Sequence, residues 1–464
     1  MAHVPNNRAI VPWDVADAIL SECLGRPRSY AMLRTLCDEI GPRSSGTEGG
    51  CHAEEWAIAR FQEFGLEAVR TQDVPLMVWR RGSLDAGVVA PGPFRFTALS
   101  HGNSPRSAHV EAPVVDVGHG DTEDFRQAQA DLPGAVVLCD EGTAEGRRKL
   151  HRSEQLALAA KYHAAALLIM SMTPGPLPRT GVCHASEAPI PSIGISMEDG
   201  QRLRRLLKDG VRPRVRVVME NHLHGGTARN VLADLPGAER PDEIVLCGAH
   251  LDAWDVAQGA LDNGLGVAIV LEMARVLAHL KKRPKRTIRF ALWAAEEVGL
   301  LGSKQYVAHY LSDLHRHVAI MNFDMTGDPV GYWTPGAPAK PALLEALALQ
   351  LAPIGMTGAW DSKPGLHSDH QPFMLEGVPV VCISGRLSQE ASRFYHSQGD
   401  TLDKVDFAAL CRAATAGAFS AWAIAEAECP PYPRKNPREV AAMIQEARLV
   451  EALHAEGWAP RDGS

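Results

Sequence analysis

No two of the nine cysteines stand in CxxC spacing, and their number is odd. The chain therefore lacks the signature of a zinc knuckle or a disulfide framework. Several of the thiols sit inside apolar strand-like runs, where they read as core. A surplus of positive charge is also missing. The formal net charge is −8 and the isoelectric point about 6.2, which argues against nucleic acid as the main partner. The one dense basic run, KKRPKR (Lys281–Arg286), lies between a helical and a strand pattern and reads as a solvated loop. Long apolar runs are scarce. The longest, AAALLIM (Ala164–Met170), is far too short to span a bilayer. The opening MAHVPNNRAIVPWDVADAIL has no basic segment followed by an apolar one, because Asp14 and Asp17 interrupt it. The expectation is a soluble, cytoplasmic protein of a reducing compartment, with no membrane partner.

What is present is core-forming material. At 464 residues and 45% hydrophobic content, the chain buries a large core and makes more than one domain. Residues 27–66 read as helical, with Thr47 capping TEGGCHAEEWAIARFQEFG and Gly65 ending it. From about 92 to 216 the texture shifts to short strand-like runs rich in Gly and Pro, and no cluster there resembles a catalytic set. From Asn230 onward, apolar strands alternate with helices: EIVLCGAH, TIRFALWAA, HVAIMNFDM and GVPVVCISG read as strands. This predicts an α/β fold, a three-layer sandwich with a mostly parallel central sheet, plus an inserted small β-rich domain. The expected domains are 1–90 with 220–430, the insert 91–219, and a helical tail 431–464. The tail packs on the core or on a partner subunit, as in a homodimer.

In such a sheet, ligands bind beyond the carboxyl ends of the strands. The first of these strands ends in His250 and Asp252, and Asp262 follows in the next loop. The second ends in Glu296–Glu297, the third in Asp324, and after the last come Tyr395, His396, Asp400 and Thr401. Two histidines and three carboxylates suit a pair of divalent cations, and clustered carboxylates without cations would repel. Adjacent Glu296 and Glu297 cannot both point at one metal in the same way, so one can ligate while the other faces the reacting water. Asp252 is placed to accept the other ring N–H of His250 and fix its tautomer.

The segments GAHLDAWD…GALDNGLG, LWAAEEVGLLGS, NFDMTG, HSDHQPF…GVPVV and YHSQGDT resemble the dizinc M28 peptidase family. Within it, WDVAQGALDNG and RPKRTIRF most resemble the plasma glutamate carboxypeptidase (carboxypeptidase Q) branch. The resemblance runs through about residues 226–410 and, through IGPRSSGTEG, over 30–85. The insert resembles a protease-associated domain. The resemblance implies His250 and Asp324 on one metal, Glu297 and His396 on the other, Asp262 bridging, and Glu296 as general base. It also implies a cis peptide at Asp262–Asn263. Zinc is the implied metal, with Co²⁺ or Mn²⁺ as substitutes.

Tyr395 is a candidate oxyanion donor, or core packing beside a ligand. Trp254 and Asp255 are candidates for the site wall or the amine-binding end, as against simple packing. His370 is a candidate for substrate contact, and Arg386 for a substrate carboxylate, or else a surface residue. The function expected is a cocatalytic dizinc aminopeptidase or dipeptidase acting on short peptides with a free N-terminus. The alternatives are glutaminyl cyclase-type acyl transfer and a non-catalytic binding protein on the same scaffold.

Overall fold

The computed structural model describes residues 9–455. Its backbone is one long sheet. From one edge the strands run His317–Asn322, Arg240–His250, Arg286–Trp293 and Arg214–Leu235, and the sheet then continues through Ser107–Asp116 into the insert. The first three are mutually parallel, and Arg214–Leu235 is antiparallel to its neighbours. In Arg240–His250 the last seven residues are all buried. Alternate side chains explain why: Val245, Cys247 and Ala249 enter one core, while Ile244 and Leu246 enter another on the opposite face. A strand covered on both sides has no polar face to show, hence its unbroken apolar text.

One core is closed by the helices Leu265–Ala278 and Phe407–Glu426, the other by Trp293, Tyr306 and Phe373. Phe407–Glu426 is long and apolar enough to cross a membrane by length and composition, although single polar residues break it into short apolar runs. Its apolar surface is instead spent inside the protein, where Leu410, Phe419, Trp422 and Ile424 are buried. Near the amino end, Glu48–Glu63 is a helix capped by Thr47, whose Oγ1 accepts from the Gly50 N–H at 3.3 Å. Gly65 ends it at φ +73°, a left-handed turn that glycine makes without steric cost. All nine cysteines are free thiols.

Three features depart from the sequence reading. Glu67–Ala90 and Arg214–Leu235 form an antiparallel ribbon registered from Glu67↔Asp234 to Ala90↔Arg214, which carries the insert and continues past residue 220, with a register shift between the pairs Arg80↔His222 and Ser83↔Glu220. The last expected strand splits. Only a bridge at Val380 touches the central sheet, and Cys382–Arg386 pairs instead with Asp328–Trp333 in a separate three-stranded sheet. Pro379 has no N–H to add to the ladder, and its carbonyl alone accepts from Ile320. The tail is two helices, Pro437–Glu446 and Val450–Ala455, broken at Arg448 with φ +58°. Val440, Met443, Ile444 and Leu453 pack them on the core; residues 456–464 of the expected helical tail lie outside the described residues.

Candidate active site

Register sets the site. His250 pairs with Trp293 and Gly248 with Asn322, so the three parallel strands release His250, Glu296–Glu297 and Asp324 at one carboxyl edge. Asp262 lies in the segment Ala260–Gly264, and its peptide to Asn263 is cis. The loop is clamped from two sides. Asp400 accepts from the N–H groups of Leu261 (2.6 Å) and Asp262 (3.1 Å). Asn263 donates to the Phe323 carbonyl at 2.8 Å and accepts from the Met325 N–H at 3.2 Å, tying this loop to the one bearing Asp324.

Two clusters result, and Asp262 belongs to both. Nε2 of His250 lies 3.1 Å from Asp262 Oδ1 and 3.5 Å from Asp324 Oδ1. Nε2 of His396 lies 3.1 Å from Asp262 Oδ2 and 3.0 Å from Glu297 Oε2. Both rings direct Nδ1 to a backbone carbonyl, of Asp252 (3.1 Å) and Thr180 (3.3 Å), which fixes the tautomer that turns a bare Nε2 toward a cation. The carboxylate of Asp252 does not take that bond as the sequence suggested. It stands 3.6 Å from the ring and accepts the N–H groups of Glu296 (3.2 Å) and Glu297 (3.4 Å), pinning the turn that presents both glutamates. Ser368 Oγ donates to Asp324 Oδ2 at 2.5 Å.

Electrostatics agree with a cation-binding pair. Burial opposes charge on both imidazoles, yet the surrounding carboxylates win. His250 is raised well above the usual histidine range by Glu296, Asp252, Asp262 and Asp324, and His396 is raised to about 9 by Glu297 and Asp262. Burial raises Glu297 and Glu296, and the charge of neighbouring carboxylates raises them further. Asp262 is held low despite its burial, through its bonds to both histidines. Without metal, protons on the rings take the place of cations. Glu297 Oε1 is buried with no hydrogen-bond partner, an orphan acceptor that a metal would satisfy. The donor set fits two divalent ions of the zinc type.

A cavity of about 290 Å³ opens on these groups, with Glu296 and Tyr395 in its wall. The Tyr395 ring stacks on His396 at 3.8 Å, and burial raises its phenol so that it stays protonated. The sequence reading missed the insert's share: His151, Arg152 and Val182 line the same cavity. The visible signal was a His-Arg pair at the head of a helix pattern, LHRSEQL.

The profile of peptidase family M28 matches residues 230–419, and that of the PA domain matches residues 110–203. Carboxypeptidase Q of Xenopus laevis is 30% identical over 405 residues, spanning 85% of each chain. The chain belongs to peptidase family M28. Human carboxypeptidase Q is 29% identical over 429 residues, 89% of each chain. A peptidase M28 precursor from Shewanella amazonensis superposes with a TM-score of 0.81 at 28% identity, covering 91% of this chain and 98% of its own. An aminopeptidase from Aneurinibacillus does so with a TM-score of 0.67 at 25% identity, covering 91% and 99%. Membership makes this chain a hydrolase of the metallopeptidase type.

Four lesser candidates fall differently within this M28 fold. Trp254 is buried and donates from Nε1 to Glu297 Oε2 at 2.6 Å, so it orients a cluster member. Asp255 is spent on Arg81, which grips both of its oxygens at 3.0 and 2.9 Å, and is not available to a substrate amine. His370 is buried away from the cavity, its Nε2 3.1 Å from the Gly365 carbonyl and its ring edge against Trp333. Arg386 ends a strand of the small sheet, exposed and outside the cavity wall.

Proposed function

We propose that this chain is a cocatalytic dizinc exopeptidase of short peptides, acting on substrates with a free N-terminus and best described as a dipeptidase. The observation that carries the reading is Asp262 standing 3.1 Å from both His250 and His396, one oxygen to each. His250 and Asp324 would hold one zinc, Glu297 and His396 the other, with Asp262 between them. Bound there, the pair would supply Lewis acidity and a water of near-neutral pKa. Glu296 faces the same cavity without belonging to either cluster, a position that suits a general base that takes the water's proton and hands it to the leaving amine. Tyr395, in the cavity wall and stacked on His396, would donate to the oxyanion. Trp254 and Asp252 keep Glu297 and Glu296 aimed.

The names of relatives support the substrate size. Carboxypeptidase and aminopeptidase both occur among them, and the single bond of a dipeptide is amino-terminal and carboxyl-terminal at once. A cavity of about 290 Å³ sits at the lower end of small-ligand pockets. The test is metal analysis of the zinc-loaded chain alongside a panel of dipeptides, longer peptides and aminoacyl anilides. Two zincs per chain and chelator-sensitive cleavage of dipeptides are expected. One zinc at saturation, or no cleavage of any peptide, would overturn the reading.

A further inference from the structure

The cavity wall holds two cations, Arg152 and Lys304, that pair with no carboxylate among the described residues. Arg152 opens the helix Arg152–Lys161 of the insert, and Lys304 lies exposed on the helix Leu301–His309. Three other arginines of the insert and its ribbon are paired: Arg179 with Glu141 at 2.9 Å, Arg204 with Asp140 at 2.7 Å and Arg81 with Asp255 at 2.9 Å. Arg152 instead has an imidazole on either side and, among the described residues, no carboxylate: Nη1 lies 3.1 Å from His151 Nε2 and Nη2 3.4 Å from His396 Nδ1. Room is made for it. A Cβ at Gly181 would stand 2.3 Å from its Cζ, so any larger residue would push the guanidinium out of place. Burial keeps His151 neutral, so it positions the guanidinium without adding charge. A half-buried guanidinium with no anion of its own, facing a cavity, is a site for one.

We propose that Arg152 and Lys304 form a subsite for the free α-carboxylate of the substrate, so that this chain reads a dipeptide by its carboxyl end. The inference rests on the exopeptidase reading above and names its substrate class. In a dipeptide the carboxylate carbon is two bonds from the scissile nitrogen. The group that holds it must therefore stand beside the reacting cluster, and Arg152 does, through His396. A longer peptide would put an amide there and leave both cations unpaired. The insert thereby sets peptide length through a charge as well as through bulk.

The test uses the zinc-loaded full chain with alanyl-alanine and its C-terminal amide. Calorimetry on Glu296→Gln reads binding, and kcat/KM on the parent reads turnover. The free acid is expected to bind at least ten times more tightly than the amide. Arg152→Gln should collapse the acid-to-amide ratio by about tenfold, mostly through KM, Lys304→Gln should lower it less, and Arg152→Lys should recover part. Equal binding of acid and amide in the parent would overturn the subsite, and so would an Arg152→Gln loss that falls equally on both. A preference for the acid in binding, with no peptide cleaved, would leave the subsite standing and remove the exopeptidase reading.

Discussion

Thr180 holds His396 by both of its backbone groups: its N–H donates to the His396 carbonyl at 2.8 Å, and its carbonyl accepts from His396 Nδ1 at 3.3 Å. A residue of the insert thus orients a side chain of the reacting cluster, and the insert does more than cover it. Because Ala90 pairs with Arg214, residues 92–212 can be replaced by an Asn-Gly turn that closes the ribbon. The shortened chain is expected to lose one metal preferentially, with affinity down roughly 10–100-fold, the usual cost of a lost partner behind a ligand. Metal titration checks this; full zinc content and unchanged dipeptide kinetics would show that the insert is dispensable.

Glu296 stands in the cavity wall while Glu297 belongs to the cluster, although the two are adjacent in the chain. Glu296→Gln keeps the shape and the bond from its N–H to Asp252. It is expected to retain both zincs and lose roughly 10²–10⁴-fold in kcat. Turnover near the parent's would remove Glu296 from proton transfer.

Asp262 is the one carboxylate common to both clusters. Asp262→Ala should therefore lower zinc well below two per chain, whereas Asp324→Ala should spare the His396 side. Elemental analysis after dialysis separates these outcomes, and equal retention by both variants would show that Asp262 does not bridge.

The sheet and the cluster were legible because a strand buried on both faces is apolar to its last residue, so that His250 or Asp324 after it stands out. Asp252 was placed correctly beside His250, but which of its groups takes the ring N–H depended on backbone geometry that spacing does not encode. Asp255 could not be read at all: its partner Arg81 is 174 positions away, on the ribbon. Arg152 is visible in LHRSEQL but could not be assigned to the site, since nothing local reports that the insert folds over His396. The last strand misled because GVPVVCISG has the composition of a central strand while Pro379 limits its pairing.

Arg43, from the IGPRSSG loop, is fully buried and, among the described residues, bonds to backbone carbonyls and to no carboxylate. Its guanidinium donates to the carbonyls of Leu251 (2.7 Å), Gln258 (2.6 Å) and Gly259 (2.7 Å), bracing the chain between His250 and Asp262. Arg43→Met fills the space and strands those acceptors, each worth about 1–3 kcal/mol when buried and unpaired. A loss of about 3 kcal/mol or more in urea unfolding is expected, with weaker zinc retention. A change below 1 kcal/mol would show that water replaces the guanidinium at little cost.

His317 gives the fold an acid limit. Arg289 Nη1 donates to the Tyr306 hydroxyl at 2.8 Å, and that hydroxyl lies 2.8 Å from His317 Nε2, so Tyr306 gives its one proton to an imidazole nitrogen that must stay bare. Burial, reinforced by Arg289, lowers the His317 pKa to about 3, against about 6.5 in an unfolded chain. Above pH 6.5 the ring is neutral in both states and carries no penalty. As pH falls below that value the unfolded chain binds a proton that the folded one refuses, and stability declines by about 1.4 kcal/mol per unit until the folded ring titrates near pH 3. His317→Gln can still accept from Tyr306 and does not titrate. Between pH 6.5 and pH 4.5 its urea midpoint should shift less than the parent's, by the equivalent of about 2–3 kcal/mol. His370, lowered by burial to about 4, contributes in the same direction and remains in the variant, so the slope should shrink without vanishing. Parallel curves for parent and variant would mean that His317 is already protonated in the fold and that the Tyr306 relay runs the other way.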